Sequence, residues 1–268
     1  MPDVFGLSAA QFETFLLVLM RTATMLAVFP IFSASQIPSY SKVAIAVIIA
    51  FLLYRTVPAI APFGNMGELV VAAISQVALG LIVGFVAQLV FAGIQFAGQL
   101  LDIQIGFAVA NIINPTTQQS VTVLGELELV LATLVFLISN SHLLLLQGIG
   151  GSFDLLPLPY INLDPSVAGN IVAFFSQSFW IVFKIAAPPA IALFLVNVAL
   201  GLMARVAPQM NVFVVGFPLQ IGIGLIMLAI SVPILVGVAP QLYAQIPHQM
   251  DAVMRGMVVS SPLPSPTP

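Results

Sequence analysis

"LVVAAISQVALGLIVGFVAQLVFAGIQFAGQLLDIQI", Leu69 to Ile105, runs for 37 residues with no proline and one charged side chain, Asp102. As a single helix it would extend about 55 Å at about 1.5 Å per residue. That is nearly twice the ~30 Å of a bilayer's hydrocarbon core, so such a helix must tilt strongly or protrude. No strand pattern of alternating polarity is present here, and a run this long and apolar sets the class of the whole chain.

The surrounding sequence agrees. Of 268 residues, 60% are hydrophobic and 6% are charged, against roughly 25% charged in an ordinary soluble domain. Too few charges remain to solvate a globular surface, and no stretch is polar enough to form a separate soluble domain. Six segments are apolar and long enough to be read as helices: Phe12 to Phe29, Val43 to Ile60, Leu69 to Ile105, Leu124 to Leu146, Ile171 to Leu202, and Val212 to Val238. Turn-forming stretches such as "PAIAPFGNMG" and "ARVAPQMN" separate them. The predicted fold is therefore all-α, a membrane-protein-like bundle of about six long hydrophobic helices.

Some of these helices are interrupted. Pro188-Pro189 is expected to break the fifth segment, and Pro218 and Pro233 fall inside the sixth. Each proline removes a backbone donor, so the freed carbonyls need partners in protein or water. At the chain start, Asp3 and Glu13 replace the basic region a cleavable signal requires, so the first helix is expected to be retained. At the end, "SSPLPSPTP" carries proline at every second position and is expected to be a disordered tail.

Several chemistries are excluded by composition. With a net charge of −3 and no basic run, nothing could track a phosphate backbone, so nucleic acid is not an expected partner. There is no cysteine, and the two histidines, His142 and His248, lie far apart, so neither a metal site nor a cofactor is expected. "GGSFD" (Gly150 to Asp154) approaches a nucleophile elbow but ends in Asp inside a proline-rich stretch. Neither a phosphate-binding loop nor an H-E-x-x-H motif occurs, and no catalytic constellation is found. Orientation is also undecided, since Arg55 and Arg255 balance Lys42 and Arg205 across the loops.

Polar residues form two stripes. At 100° per residue, Gly84, Gln88, Gln95, Gln99, Asp102 and Gly106 fall within about 40° of one line on the third helix. On the fourth, Glu126, Thr133 and Asn140 recur at intervals of seven, hence on one face. Two readings are open. These faces could line an aqueous path, because amides and carboxylates at membrane depth are costly without water or each other. They could equally be helix-packing surfaces, with Gly80 and Gly84 in "GLIVG" allowing close approach and glutamines bonding across helices. His142 admits a proton relay or a simple hydrogen bond at a helix end. Arg21, within the first helix, calls for a carboxylate or carbonyl partner.

Four blocks carry a resemblance to a known family: "RTATMLAVFPIFSASQIPSYSKVAIA" (Arg21 to Ala46), "GQLLDIQIGFAVANIINPTTQQS" (Gly98 to Ser120), "FLISNSHLLLLQGIGGSFDLLPL" (Phe136 to Leu158) and "ARVAPQMNVFVVGFPLQIGIGL" (Ala204 to Leu225). The chain resembles the FliR family of flagellar export-gate proteins, whose virulence-secretion counterparts are the SctT proteins. The family's R-x-x-P-x-x-N-V-F-x-x-G-F-P pattern falls on Arg205, Pro208, Asn211, Val212, Phe213, Gly216, Phe217 and Pro218. Its Asn-x-His-Leu and Ser-Phe-x-x-x-Pro elements fall on Asn140, His142, Leu143, Ser152, Phe153 and Pro157.

The resemblance implies one subunit assembled with several copies of FliP and FliQ into a helical gate at the bacterial inner membrane, in the flagellar basal body. Part of that assembly would protrude on the periplasmic side, and FlhB and FlhA would be further partners. Residues 1–165 would resemble FliP, residues 166–240 would form a FliQ-like hairpin, and residues 241–268 would be a C-terminal segment with its tail. The stretch 106–123 would be a plug closing a channel for unfolded flagellar proteins. Within it, after Gly106 at its start, Phe107, Val109, Ile112 and Ile113 could seal by packing. Asn111, Asn114, Thr116, Thr117, Gln118 and Gln119 could supply exchangeable hydrogen bonds, with Pro115 favouring a turn. A plug displaced repeatedly by different chains is better without fixed ion pairs, whose rupture after desolvation is costly. An alternative function class is an autonomous secondary transporter using Asp102 and Glu126 as ion carriers.

Overall fold

The computed structural model describes residues 8–33, 37–107, 122–159, 166–209 and 211–258. Every described element is an α-helix: α1 (Ala9–Val28), α2 (Pro30–Ser33), α3 (Ser39–Tyr54), α4 (Met66–Ile105), α5 (Val123–Ile138), α6 (Ser141–Leu155), α7 (Ser166–Val206) and α8 (Val212–Arg255). The all-α, membrane-protein-like class expected from composition is what the chain adopts. Among the described residues, α1, α4, α7 and the stretch Val214–Arg255 are long and apolar enough to cross a membrane, with α5 and α6 together forming a fifth, broken candidate.

Local chemistry sets the ends. At the start of α1, Ser8 Oγ accepts from the Gln11 N–H at 3.3 Å while the Ser8 N–H donates to Gln11 Oε1 at 2.9 Å. This reciprocal capping box satisfies two backbone donors that a helix start leaves unpaired. The helix stops at Phe29, whose extended backbone (φ −70°, ψ 135°) is what a residue before proline prefers. The second segment, expected to reach Ile60, stops at Tyr54. Pro58 disfavours helix at Val57, and the Thr56 N–H and hydroxyl both bond back to the Leu53 carbonyl. At 16 residues, α3 is about 24 Å long and too short to cross alone.

Three expectations about helix breaks change. The fourth segment is not one helix: it breaks after Ile138, and Asn140 adopts φ 56°, a left-handed conformation that asparagine tolerates better than most residues. Pro188-Pro189 does not break α7, because Ala186, Pro189 and Leu193 are buried and packing outweighs the lost donors. Finally, α8 continues past Val238 through Pro240 and Pro247 to Arg255. Its buried face there, Leu242, Tyr243, Ile246, Met250, Val253 and Met254, has helical periodicity strong enough to carry the prolines.

The chain divides into two compact units. The first comprises Met1–Gln88, His142–Phe174 and Ala244–Pro268. Its centre is Arg21, fully buried on α1. The guanidinium donates from Nε to Gln76 Oε1 at 2.7 Å, from Nη1 to the Ser152 carbonyl at 2.8 Å and from Nη2 to the Leu156 carbonyl at 2.9 Å. It also lies 4.3 Å over the Phe153 ring. The two carbonyls lie at the C-terminal end of α6, Ser152 in its last turn and Leu156 just past it, where the negative end of the helix dipole favours a cation. A buried cation thus has carbonyl and amide partners, one of the two solutions its sequence position called for. Alongside it, Val18 of α1, Ala50 of α3 and Phe153 of α6 form a buried apolar cluster, and α1 meets α4 where a Cβ on Gly80 would stand 2.7 Å from the Arg21 carbonyl.

The second unit comprises Leu89–Ser141 and Phe175–Tyr243. Phe91, Phe136 and Tyr243 form a buried triangle with ring centroids 5.1 to 5.4 Å apart, within the range of favourable stacked and edge-on pairs. The Tyr243 hydroxyl donates to the Ala132 carbonyl at 2.8 Å, so its polar end is satisfied. A second apolar cluster joins Leu101, Ile105, Leu124, Leu193 and Leu228 at the end of α4.

Candidate functional site

The polar stripe of α4 meets the start of α5, and glycine makes the meeting possible. A Cβ on Gly98 would stand 2.7 Å from both the Gly125 Cα and the Leu124 carbonyl, so the two backbones touch directly. Gln95 and Gln99 flank this contact, half-buried, with the Gln99 Cγ and the Gln95 carbonyl lying against Gly125. Gln88, one turn and more upstream, is half-buried, and its Oε1 is buried without a partner among the described residues.

Asp102 is 3% exposed and closes the junction. Its carboxylate accepts from the Leu124 N–H at 3.0 and 3.1 Å and from the Gly125 N–H at 3.2 Å. Thr122, at the position where a side chain usually caps, makes no cap bond, so the aspartate of another helix does this work. A carboxylate at a helix start also meets the positive end of the dipole. Asp102 therefore faces the packing surface between α4 and α5.

The second buried carboxyl is Glu128, 6% exposed and within range of the Asp102 charge. Sequence reasoning missed it and chose Glu126, which is exposed. The missed signal is apolar periodicity: Leu124, Glu128, Ala132 and Phe136 recur every four residues and all are buried. Of the remaining stripe residues, Thr133 is half-buried and its hydroxyl donates to the Leu129 carbonyl of its own helix at 2.8 Å. Asn140 is exposed in the break between α5 and α6, so the face proposed from the interval of seven does not extend to it. His142 is half-buried on α6, with Nδ1 unpartnered among the described residues.

At the far end of α4, Gly106 has φ 91°, which a side chain would strain. Its N–H bonds back to the Asp102 and Ile103 carbonyls at 3.2 Å, and it lies beside Phe217 and Gln220 of α8. Phe107 packs on the Leu101–Ile105 cluster. Val109, Asn111, Ile112, Ile113, Asn114, Pro115, Thr116, Thr117, Gln118 and Gln119 lie outside the described residues.

A chain of neutral amides crosses this end of α4. Asn197 Nδ2 donates to the Gln104 carbonyl and to Gln104 Oε1, both at 3.2 Å, and Gln220 Nε2 donates to Asn197 Oδ1. The amides border an open pocket of about 380 Å³ whose other walls include Gly106, Gly201, Ala204 and Phe217. Asn197 and Gln220 were not singled out from sequence, since polar residues in two separate apolar runs reveal their pairing only when the helices are packed.

The C-terminal motif serves the α7–α8 turn. Arg205 is exposed in the last turn of α7, a favourable place for a cation. Pro208 is exposed in the turn, and the Asn211 carbonyl accepts from the Val214 N–H at 3.0 Å as α8 begins. Gly216 is buried against Leu200, where a Cβ would stand 3.2 Å from the Leu200 Cδ1. Pro218 is exposed in α8, and the Phe213 side chain lies outside what is described. The Ser152-Phe153 element has a separate use, because it receives Arg21. Among the described residues no three His, Asp or Glu side chains gather as metal ligands.

A family model described as bacterial export proteins, family 1, matches residues 12–246. The flagellar biosynthetic protein FliR of Bacillus subtilis is 33% identical over 84% of this chain and 88% of its own length. The proteins of the same name from Aquifex aeolicus and Escherichia coli are 31% and 30% identical, over 83% and 85% of this chain and 86% and 87% of their own.

Proposed function

We propose a function that starts from family membership: this chain belongs to the bacterial export proteins, family 1, the family of the flagellar FliR proteins. It is a membrane protein and a component of the flagellar export apparatus. Beyond that footing, our reading is that it is a non-enzymatic subunit of the export gate, assembled with FliP and FliQ at the bacterial inner membrane, with FlhB and FlhA as further partners. Residues 106–123 are the plug that closes the entry portal to unfolded flagellar proteins until they are exported, and part of the assembly stands on the periplasmic side.

The observation that carries this reading is the extent of the match, residues 12–246, which takes in every described helix but the two ends. The amide-rich surroundings of Gly106 are compatible with it, because a reversible seal is better built from exchangeable hydrogen bonds than from buried ion pairs. An autonomous transporter would need two carboxyls on an accessible path. Asp102 is instead buried and spent on the α5 backbone, while Glu126 is exposed.

The test is deletion of residues 106–123 in the complex with FliP and FliQ. We expect copurification to survive and the reconstituted gate to leak ions and small molecules. Complexes that assemble normally and stay as tight as the parent would exclude the plug, and solute-coupled flux by this chain alone in liposomes would overturn the subunit reading.

A further inference from the structure

α7 is 41 residues long, about 62 Å, twice what a bilayer's hydrocarbon can cover. Something must decide which half meets lipid, and two charges do. Lys184 and Arg205 are the charged residues of this helix, and both are exposed. Along the axis they stand about 32 Å apart, close to the ~30 Å of hydrocarbon.

The surface between them is uniformly apolar. Ile191 is 59% exposed, Phe194 56%, Leu195 61% and Leu202 60%. The one polar side chain in that interval, Asn197, is half-buried and bonded to Gln104 and Gln220. On the other side of Lys184 the exposed surface becomes mixed, with Ser176 and Gln177 facing out beside Val172 and Phe175. At the change sits an aromatic pair: Trp180, 58% exposed, stacks on Phe183 with centroids 6.2 Å apart and planes at 14°. The Lys184 Nζ lies 5.3 Å over the Trp180 ring. Tryptophan with an adjacent lysine is the side-chain chemistry of a headgroup layer, where an amphipathic ring and a snorkelling amine are both stable.

We propose that lipid covers α7 from Lys184 to Arg205, with Trp180, Phe183 and Lys184 in one headgroup layer, Arg205 in the other, and the helix from Ser166 to Phe179 outside the hydrocarbon. Sliding the bilayer toward the N-terminus would submerge Lys184 and expose a bare apolar face from Leu195 to Leu202 to water.

The protein carries its own probe, since Trp180 is its single tryptophan, and it has no cysteine to interfere with labelling. The full chain is reconstituted in phosphatidylcholine–phosphatidylglycerol vesicles containing lipids brominated either near the headgroup or near the acyl-chain end. Trp180 emission should be quenched more by the shallow bromines. Ser176→Cys should react with a membrane-impermeant maleimide in vesicles opened to both faces, and Leu195→Cys should react only after detergent is added. Stronger quenching by the deep bromines, absence of quenching by either, or a reversed labelling pattern would each overturn the assignment. Absence of quenching would mean that water or a protein neighbour, and not lipid, covers this face.

Discussion

Asp102 is the most informative residue to change. In Asp102→Ala the N–H groups of Leu124 and Gly125 lose their acceptor, now at 3.0 to 3.2 Å. At an exposed helix start, loss of an aspartate cap costs about 0.5–2 kcal/mol, because water substitutes. This cap is 3% exposed, so substitution by water is hindered, and each orphaned donor adds about 1–3 kcal/mol. Removing the Asp102 charge also relieves its repulsion with Glu128, which offsets part of the loss. The net expectation is about 2–4 kcal/mol of local destabilisation at the α4–α5 junction. At 1.4 kcal/mol per tenfold, the Leu124 and Gly125 amides should exchange with deuterium about 30 to 700 times faster. Asp102→Asn keeps an acceptor oxygen and should lose only about 1 kcal/mol, and Glu128→Gln should not accelerate exchange at these amides. Hydrogen exchange read by mass spectrometry on the detergent-solubilised chain gives the answer. Exchange in Asp102→Ala within about threefold of the parent would refute the argument that this carboxylate holds the start of α5.

Two further changes test other contacts. Gly98→Ala places a methyl 2.7 Å from backbone atoms that cannot yield, so we expect a loss of about 1–3 kcal/mol or more, seen as a lowered melting temperature, while Gly169→Ala, a helical position with nothing within 4 Å, should not lower it. Arg21→Lys keeps the charge but not the planar fork that reaches Gln76, Ser152 and Leu156 together. Losing two of those bonds should cost about 3 kcal/mol or more and lower the amount of protein in the membrane, and unchanged abundance and melting would contradict the clamp.

The helices were legible wherever apolar runs are long. Leu69 to Ile105 reappears within α4, and the first and fifth runs lie within a few residues of α1 and α7. Boundaries failed where side-chain burial competes with local propensity. The sixth run was ended at Val238, but a buried face that includes Leu242, Tyr243, Ile246 and Met250 carries α8 through Pro240 and Pro247 to Arg255. In the opposite direction, the apolar runs on either side of "SNSH" (Ser139 to His142) carried the fourth segment across the break at Asn140, since hydropathy does not report a left-handed backbone. The stripe on α4 was legible as a geometric face, because helical periodicity is a property of the chain itself. Its use was not legible. Gln95, Gln99 and Asp102 meet α5, and the amide chain of Gln104, Asn197 and Gln220 joins α4 to the distant α7 and α8.

Composition and periodicity alone establish a membrane-type helical chain and its polar faces, while its family rests on the resemblance of four motif blocks and on the match over residues 12–246. Those are additive features of the sequence: each residue contributes hydrophobicity and an angular position without reference to any other helix. Which carboxyl is buried, and what it holds, is decided by tertiary structure. Glu128 and not Glu126 accompanies Asp102 because Gly98 and Gly125 let two backbones touch and so set the rotation of α5. Arg21 likewise finds its carbonyls only when α6 ends beside α1. A buried polar group is stable only with a partner in place, and partners separated by more than a hundred residues are brought together by packing alone.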